Sequence, residues 1–263
     1  MGGRRTNFKI INIPRSGVKP ADKLVGIQKS TAQPLHAPSA APFPENKASF
    51  TQKLFEHPKS QAIVDECKRT KFMRGMAEGT LLADLYGGYM VQDAAYCYHA
   101  VPAYELAADK LQSEFPEFSL LYRRQSGSFQ KYNQDFVNTW RIKGADSIVL
   151  GEAAKTYVKY ESAISQSQPR KLCIAMLPCQ MLWPKLANDM GREVREGNPY
   201  KPWFDENKSD HPSHLERFID YFLRDEKVRD YLDEFLEGMT NELNFFRDAC
   251  GEELYYYTKE FQM

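Results

Sequence analysis

The stretch Phe72-Met-Arg-Gly-Met-Ala-Glu-Gly-Thr-Leu-Leu-Ala-Asp-Leu-Tyr-Gly-Gly-Tyr-Met-Val-Gln-Asp-Ala-Ala-Tyr96 decides the fold. Leu81, Leu85, Tyr89, Tyr96 and Ala100 recur at spacings of four and seven, which places them on one face of a long helix. The same period runs through Tyr157, Tyr160 and Ile164, and again through Phe218, Tyr221, Phe222, Tyr231 and Phe235. Breaks fall at Gly127, Gly144, Pro169, Gly197-Asn198-Pro199 and His211-Pro212. Strand-like alternation is scarce. The pattern predicts an all-α bundle of about seven to eight helices joined by short connections.

Residues 1–48 read differently from residues 49–263. Six prolines and a run of basic residues, with Asp22 the only acid before Glu45, predict a disordered basic tail ahead of one helical domain. The start Met1-Gly2-Gly3-Arg4-Arg5-Thr6 fits the loose N-myristoylation pattern, and the acid-poor tail also fits an organellar leader or a plain solvated extension. A cytoplasmic location is the default expectation.

The 35 basic and 35 acidic residues cancel, so nothing points to nucleic acid as a partner. No apolar run approaches the roughly 20 residues a membrane helix needs. Cys67, Cys97, Cys173, Cys179 and Cys250 are odd in number and form no Cys-x-x-Cys pair, so free thiols are expected rather than a disulfide framework or a zinc ribbon. The five histidines form no His-Glu-x-x-His or Glu-x-x-His pair, so no metal is expected; His211 and His214, beside Pro212, suit a helix start or the surface.

Four polar residues on apolar segments are the candidates for chemistry. Asp93 and Tyr96 share one helix face, and a carboxylate there must find partners or change its pKa. Cys179 follows Pro178 in Ala175-Met-Leu-Pro-Cys-Gln-Met-Leu-Trp183; a proline in a helical pattern predicts a kink and looser packing around the thiol. Glu242 precedes Phe245 and Phe246, an apolar setting that raises a carboxyl pKa toward neutrality. Each also has a plain alternative: a packing bond for Asp93, an inert buried thiol for Cys179, and a solvated face between Asn241 and Asn244 for Glu242. Tyr86, Tyr89, Tyr96, Tyr157, Tyr160, Trp183 and Phe245 can stack a flat heterocycle or simply form core.

Taken in order, five motifs resemble the TenA (thiaminase II) family over roughly residues 50–255. They are Phe72 with Gly79-Thr80-Leu81; Gln92-Asp93 with Tyr96; Leu177-Pro178-Cys179; Asn198-Pro199-Tyr200-Lys-Pro-Trp203; and Glu242 with Phe245-Phe246. The resemblance implies a haem-oxygenase-like all-α bundle without haem or other cofactor, assembling as a homo-oligomer, a dimer or tetramer. It implies a hydrolase acting on a small pyrimidine, releasing hydroxymethylpyrimidine from degraded thiamine or from thiamine itself. Cys179 is then the nucleophile, Glu242 the acid and base, and Asp93 the residue that orients the ring. Tyr96, Tyr157, Trp183, Phe245 and Asn207 would contact substrate. Two positions depart from the family: Trp183 and Asn207 stand where tyrosines are expected, which removes two phenols from the pocket. A relative with an altered substrate, and a non-catalytic helical ligand-binding or interaction protein, are the alternatives.

Overall fold

The computed structural model describes residues 48–140 and 144–257. The tail read from residues 1–47, with its acylation and targeting patterns, lies outside the described residues. Among them there are eleven α-helices and no strand. The number exceeds the seven to eight predicted because caps and prolines cut several short helices that periodicity alone runs together.

Helix α1 (Phe50–Phe55) opens with a capping box between Ser49 and Gln52, and α2 (Pro58–Arg69) starts on a proline whose missing N–H costs nothing there. Thr70 closes α2 and caps α3 (Lys71–Glu78), accepting from the Met73 amide. α3 ends at Gly79, whose φ of 75° is a left-handed conformation that glycine adopts without strain. The opening stretch therefore holds two helices and not one. The second, α4 (Ala83–Leu111), runs 29 residues and carries Pro102 within it without ending.

Helix α5 (Pro116–Trp140) folds back along α4, and α6 (Glu152–Ser167) also packs against α4. Then follow α7 (Leu172–Ala175), α8 (Leu177–Met190), α9 (Lys201–Asn207) and α10 (His214–Phe222), the last opened by a second capping box between Ser213 and Glu216. Pro178 does not kink a helix as predicted. It stands in the first turn of α8, and the break lies before it at Met176.

Helix α11 (Leu232–Ala249) is the axis of the bundle, touching α2, α3, α4, α6, α7 and α8. A helix surrounded on all sides has no solvated face. Asn241, Glu242 and Asn244 are accordingly all buried, which removes the solvated-face reading of Glu242. No described helix is long and apolar enough to cross a membrane, and all five cysteines are free.

Two of the sequence motifs meet at the start of α4. Asn198 donates from Nδ2 to the Met76 and Ala77 carbonyls at 2.9 and 3.0 Å, tying itself to the last turn of α3. Tyr200 donates its hydroxyl to the Leu81 carbonyl at 2.6 Å. The Asn-Pro-Tyr segment thus locks the Gly79-Thr80-Leu81 turn, which sets where α4 begins.

Candidate active site

A cavity of about 150 Å³ lies between α4, α5, α6, α8 and α11, with the start of α10 at its mouth. Helical period supplies the wall. Tyr89, Asp93, Tyr96 and Tyr104 come from one face of α4, and Leu121, Gln125 and Phe129 from one face of α5. Tyr157 enters from α6, Cys179, Gln180 and Trp183 from α8, and Glu242 and Phe245 from α11. His214, exposed at the first position of α10, reaches the rim.

The catalytic candidates Cys179, Glu242 and Asp93 therefore line one cavity, as do Tyr96, Tyr157, Trp183 and Phe245. Asn207 does not line it. Its amide donates to the Trp203 carbonyl at 2.8 Å within its own helix α9, so it completes a helix end. Trp203 in turn packs against Trp183, ring centroids 5.9 Å apart.

Each carboxyl has its own holder. Glu242 accepts from the Trp183 indole N–H at 2.9 Å and from the Tyr157 hydroxyl at 3.1 Å. Tyr157 also lies 3.3 Å from the Ala175 carbonyl, so its single proton is divided between two acceptors. Asp93 accepts from Tyr132 at 2.8 Å. The neighbouring Gln92 points elsewhere. Its side chain accepts from the Gly151 amide at 2.7 Å and donates to the Val149 carbonyl at 3.1 Å, fixing the approach to α6.

Among the described residues, no lysine or arginine lines the cavity. Burial therefore dominates the titration. It pushes Glu242 up to about 7, against the lowering effect of the Trp183 and Tyr157 bonds and with a further push from Asp93. Burial pushes Asp93 up to about 6, against the Tyr132 bond. Cys179 sits in the first turn of α8, a position that favours thiolate, yet burial and then the Glu242 charge hold its pKa well above the ordinary thiol value. The thiol donates to the Met176 carbonyl at 3.3 Å and accepts from Gln180 at 3.5 Å. A neutral thiol that shares its cavity with a carboxyl poised at about 7, Glu242, is a pair of groups suited to passing protons.

Sequence reading missed three members of this network. Glu161 is fully buried behind the wall and accepts from both Tyr96 at 2.9 Å and Tyr104 at 2.7 Å. Its signal was present: it lies between Tyr157 and Ile164 on the apolar face of α6. Tyr104 continues the Tyr96, Ala100 face, and Tyr132 stands between Phe129 and Phe136 on α5. Among the described residues, no cluster is suited to hold a metal ion.

The chain is similar in fold to a TenA homologue from P. horikoshii OT3, with a TM-score of 0.61 and 19% identity, covering 77% of this chain and 98% of that one. A Sulfolobus solfataricus P2 structure described as a "tena-like thiaminase" matches with a TM-score of 0.59 and 15% identity, covering 80% of this chain and 100% of that one. A Silicibacter sp. TM1040 structure described as a TenA family transcription regulator matches with a TM-score of 0.59 and 17% identity, covering 75% and 96%. Among curated proteins, none matches the chain with significance. The model of the TENA/THI-4/PQQC family matches residues 57–252, and with about three quarters of its length inside that match the chain belongs to this family.

Proposed function

We propose that the protein is a thiaminase II-like hydrolase that cleaves a C–N bond on the methylene substituent of an aminopyrimidine, releasing hydroxymethylpyrimidine. The observation that carries this reading is that Cys179 and Glu242 line one cavity with Asp93, walled by aromatic rings. Tyr96 and Phe245 stand nearly perpendicular, their centroids 5.6 Å apart, and Tyr157 lies 4.9 Å from Tyr96. Such walls suit one flat ring.

The chemistry follows from the groups present. Glu242 begins ionised and takes the Cys179 proton as the sulfur adds to the ring. The ring's electron pair expels the amine as the C–N bond breaks, and Glu242 gives its proton to that amine. An exocyclic methylene remains. Water adds to it as Glu242 takes up a proton again, the C–S bond breaks to restore the ring, and the thiolate recovers its proton. Asp93 holds the ring in register throughout. Ammonia leaves with the Glu242 proton in this scheme, whereas a thiazole leaves thiamine as a neutral ring and Glu242 instead sheds its proton to solvent before water adds; a homo-oligomer is the expected assembly.

A second reading, ligand binding without turnover, is favoured by one observation: among the described residues no lysine or arginine lines the cavity to assist thiolate formation at Cys179. The deciding experiment measures hydroxymethylpyrimidine and ammonia release from the aminomethyl-aminopyrimidine, and hydroxymethylpyrimidine from thiamine, by wild type and Cys179→Ala. We expect turnover of at least one substrate, lost in the variant by a factor on the order of 10³ or more while binding persists. Binding without turnover by wild type would select the second reading.

A further inference from the structure

We infer that Glu161, which lies behind the cavity wall, is a positioning residue that turns Tyr96 and Tyr104 into hydrogen-bond acceptors toward the cavity, so that the ligand edge seated there carries N–H donors. This rests on the aminopyrimidine reading above and specifies how the ring amine is recognised.

A phenol has one proton to donate and lone pairs with which to accept. Tyr96 and Tyr104 both line the cavity, and both place their hydroxyl protons on the same atom, Glu161 Oε1, at 2.9 and 2.7 Å. Their protons are spent on the inner side, and what remains for a ligand is oxygen lone pairs. Glu161 Oε2 is buried with no hydrogen-bond partner among the described residues. The acid thus serves the two phenols and nothing else in this network. A proton taken up by Glu161 sits on Oε2 and leaves Oε1 as the shared acceptor, so the polarity of the phenols is the same in both charge states.

A buried carboxyl with one unpartnered oxygen is costly, and packing alone would be better served by an apolar side chain of the same volume. Fixing two hydroxyl protons is something such a side chain cannot do. The ligand consequence is directional. Asp93 and Tyr96 lie on one face of α4, three residues apart, and both are acceptors toward the cavity when Asp93 is ionised. A primary amine on a ring has two hydrogens, one for the Asp93 carboxylate and one for a phenol oxygen. A carbonyl at the same ring position would meet lone pairs on both sides and be rejected.

The experiment measures equilibrium binding of 4-amino-5-hydroxymethyl-2-methylpyrimidine and its 4-oxo counterpart to wild type, Glu161→Gln and Glu161→Met. Gln retains an oxygen that accepts both phenol protons; Met fills the space without accepting. Wild type and Glu161→Gln should prefer the amine by about a hundredfold, and Glu161→Met should lose about tenfold of that preference, the weight of one freed donor facing the cavity. Preference unchanged in Glu161→Met overturns the inference and leaves the aminopyrimidine reading standing. Equal loss in Glu161→Gln also overturns it, because charge and not acceptance would then be at work. Wild type binding neither probe, or preferring the oxo compound, overturns both. Should Glu161→Met fail to fold, the Tyr96→Phe/Tyr104→Phe double variant replaces it: the same loss is expected, and an unchanged preference overturns the inference.

Discussion

Trp183 donates its indole N–H to Glu242 at 2.9 Å, across the gap between α8 and α11. The residue that breaks the family pattern is thus a direct partner of the proposed acid and base. An indole has no oxygen to accept with, but it supplies the one feature a phenol would bring to a carboxylate, a donor. The exchange leaves Glu242 held while changing the ring that faces the cavity.

Removing that donor should move the pH profile in a defined direction. A hydrogen bond to the ionised carboxyl lowers its pKa, so Trp183→Phe should raise Glu242 further above about 7. Glu242 must begin ionised to take the thiol proton, so the acid limb of kcat/KM should shift to higher pH. We expect a fall of about tenfold at pH 7, partly recovered at about pH 8.5, from loss of one charge-assisted bond. A variant profile with the wild-type midpoint would separate Trp183 from the proton transfer.

The Asp93–Tyr132 bond allows an analogous test with a different readout. Tyr132→Phe removes the donor that opposes burial, so Asp93 should titrate above about 6. Since Asp93 is assigned to orientation and not to proton transfer, KM should rise by roughly tenfold and kcat should change less. A fall confined to kcat would place Asp93 in the proton path.

Fold class was legible because the period of large residues persists over most of the chain, as in Tyr89, Tyr96, Ala100 and Tyr104 on α4. Helix number was not, because ends depend on single residues. The break at Met176 and the left-handed Gly79 are local events that a hydrophobic period does not register. The polar candidates were legible where an acid interrupts an apolar run, as Glu242 does before Phe245 and Phe246. Glu161 fits that rule equally well, but the tyrosines beside it drew the reading toward plain core. Asn207, which does not line the cavity, is a different case. Position along the chain suggested a pocket, whereas its amide is used by the Trp203 carbonyl one turn back.

Two buried carboxyls, Glu161 and Glu242, and the half-buried Asp93 also predict how stability depends on pH. Burial raises Asp93 to about 6 and Glu161 and Glu242 to about 7, above their ordinary values of 3.8 and 4.5. Between about pH 4 and 7 the folded protein therefore binds more protons than the unfolded chain, and stability falls as pH rises through that window. Thermal unfolding at about pH 5.5 and pH 8 should show the higher midpoint at the lower pH, and Glu161→Gln with Glu242→Gln should flatten the difference. An unchanged slope in the double variant would assign the pH dependence to other groups.

The seat of Cys179 depends on a glycine in another helix. A Cβ added at Gly238 of α11 would lie 2.8 Å from the Ala175 carbonyl oxygen and 2.8 Å from Pro178 Cγ. Neither neighbour is the end of a flexible side chain: one is backbone and the other a ring fixed to it. Gly238→Ala must therefore push α11 away from the break between α7 and α8, and Pro178 adjoins the thiol. The gain in helix propensity, about 1 kcal/mol, is smaller than the overpacking cost of about 1–3 kcal/mol. We expect a lower unfolding midpoint and a loss of turnover larger than the loss of stability alone explains, because Cys179 and Glu242 sit on the two surfaces being separated. Chemical denaturation beside single-turnover rates below the unfolding transition would measure both. Reduced stability with unchanged rate would show that the α7–α8 break yields as a rigid body and carries the thiol with it.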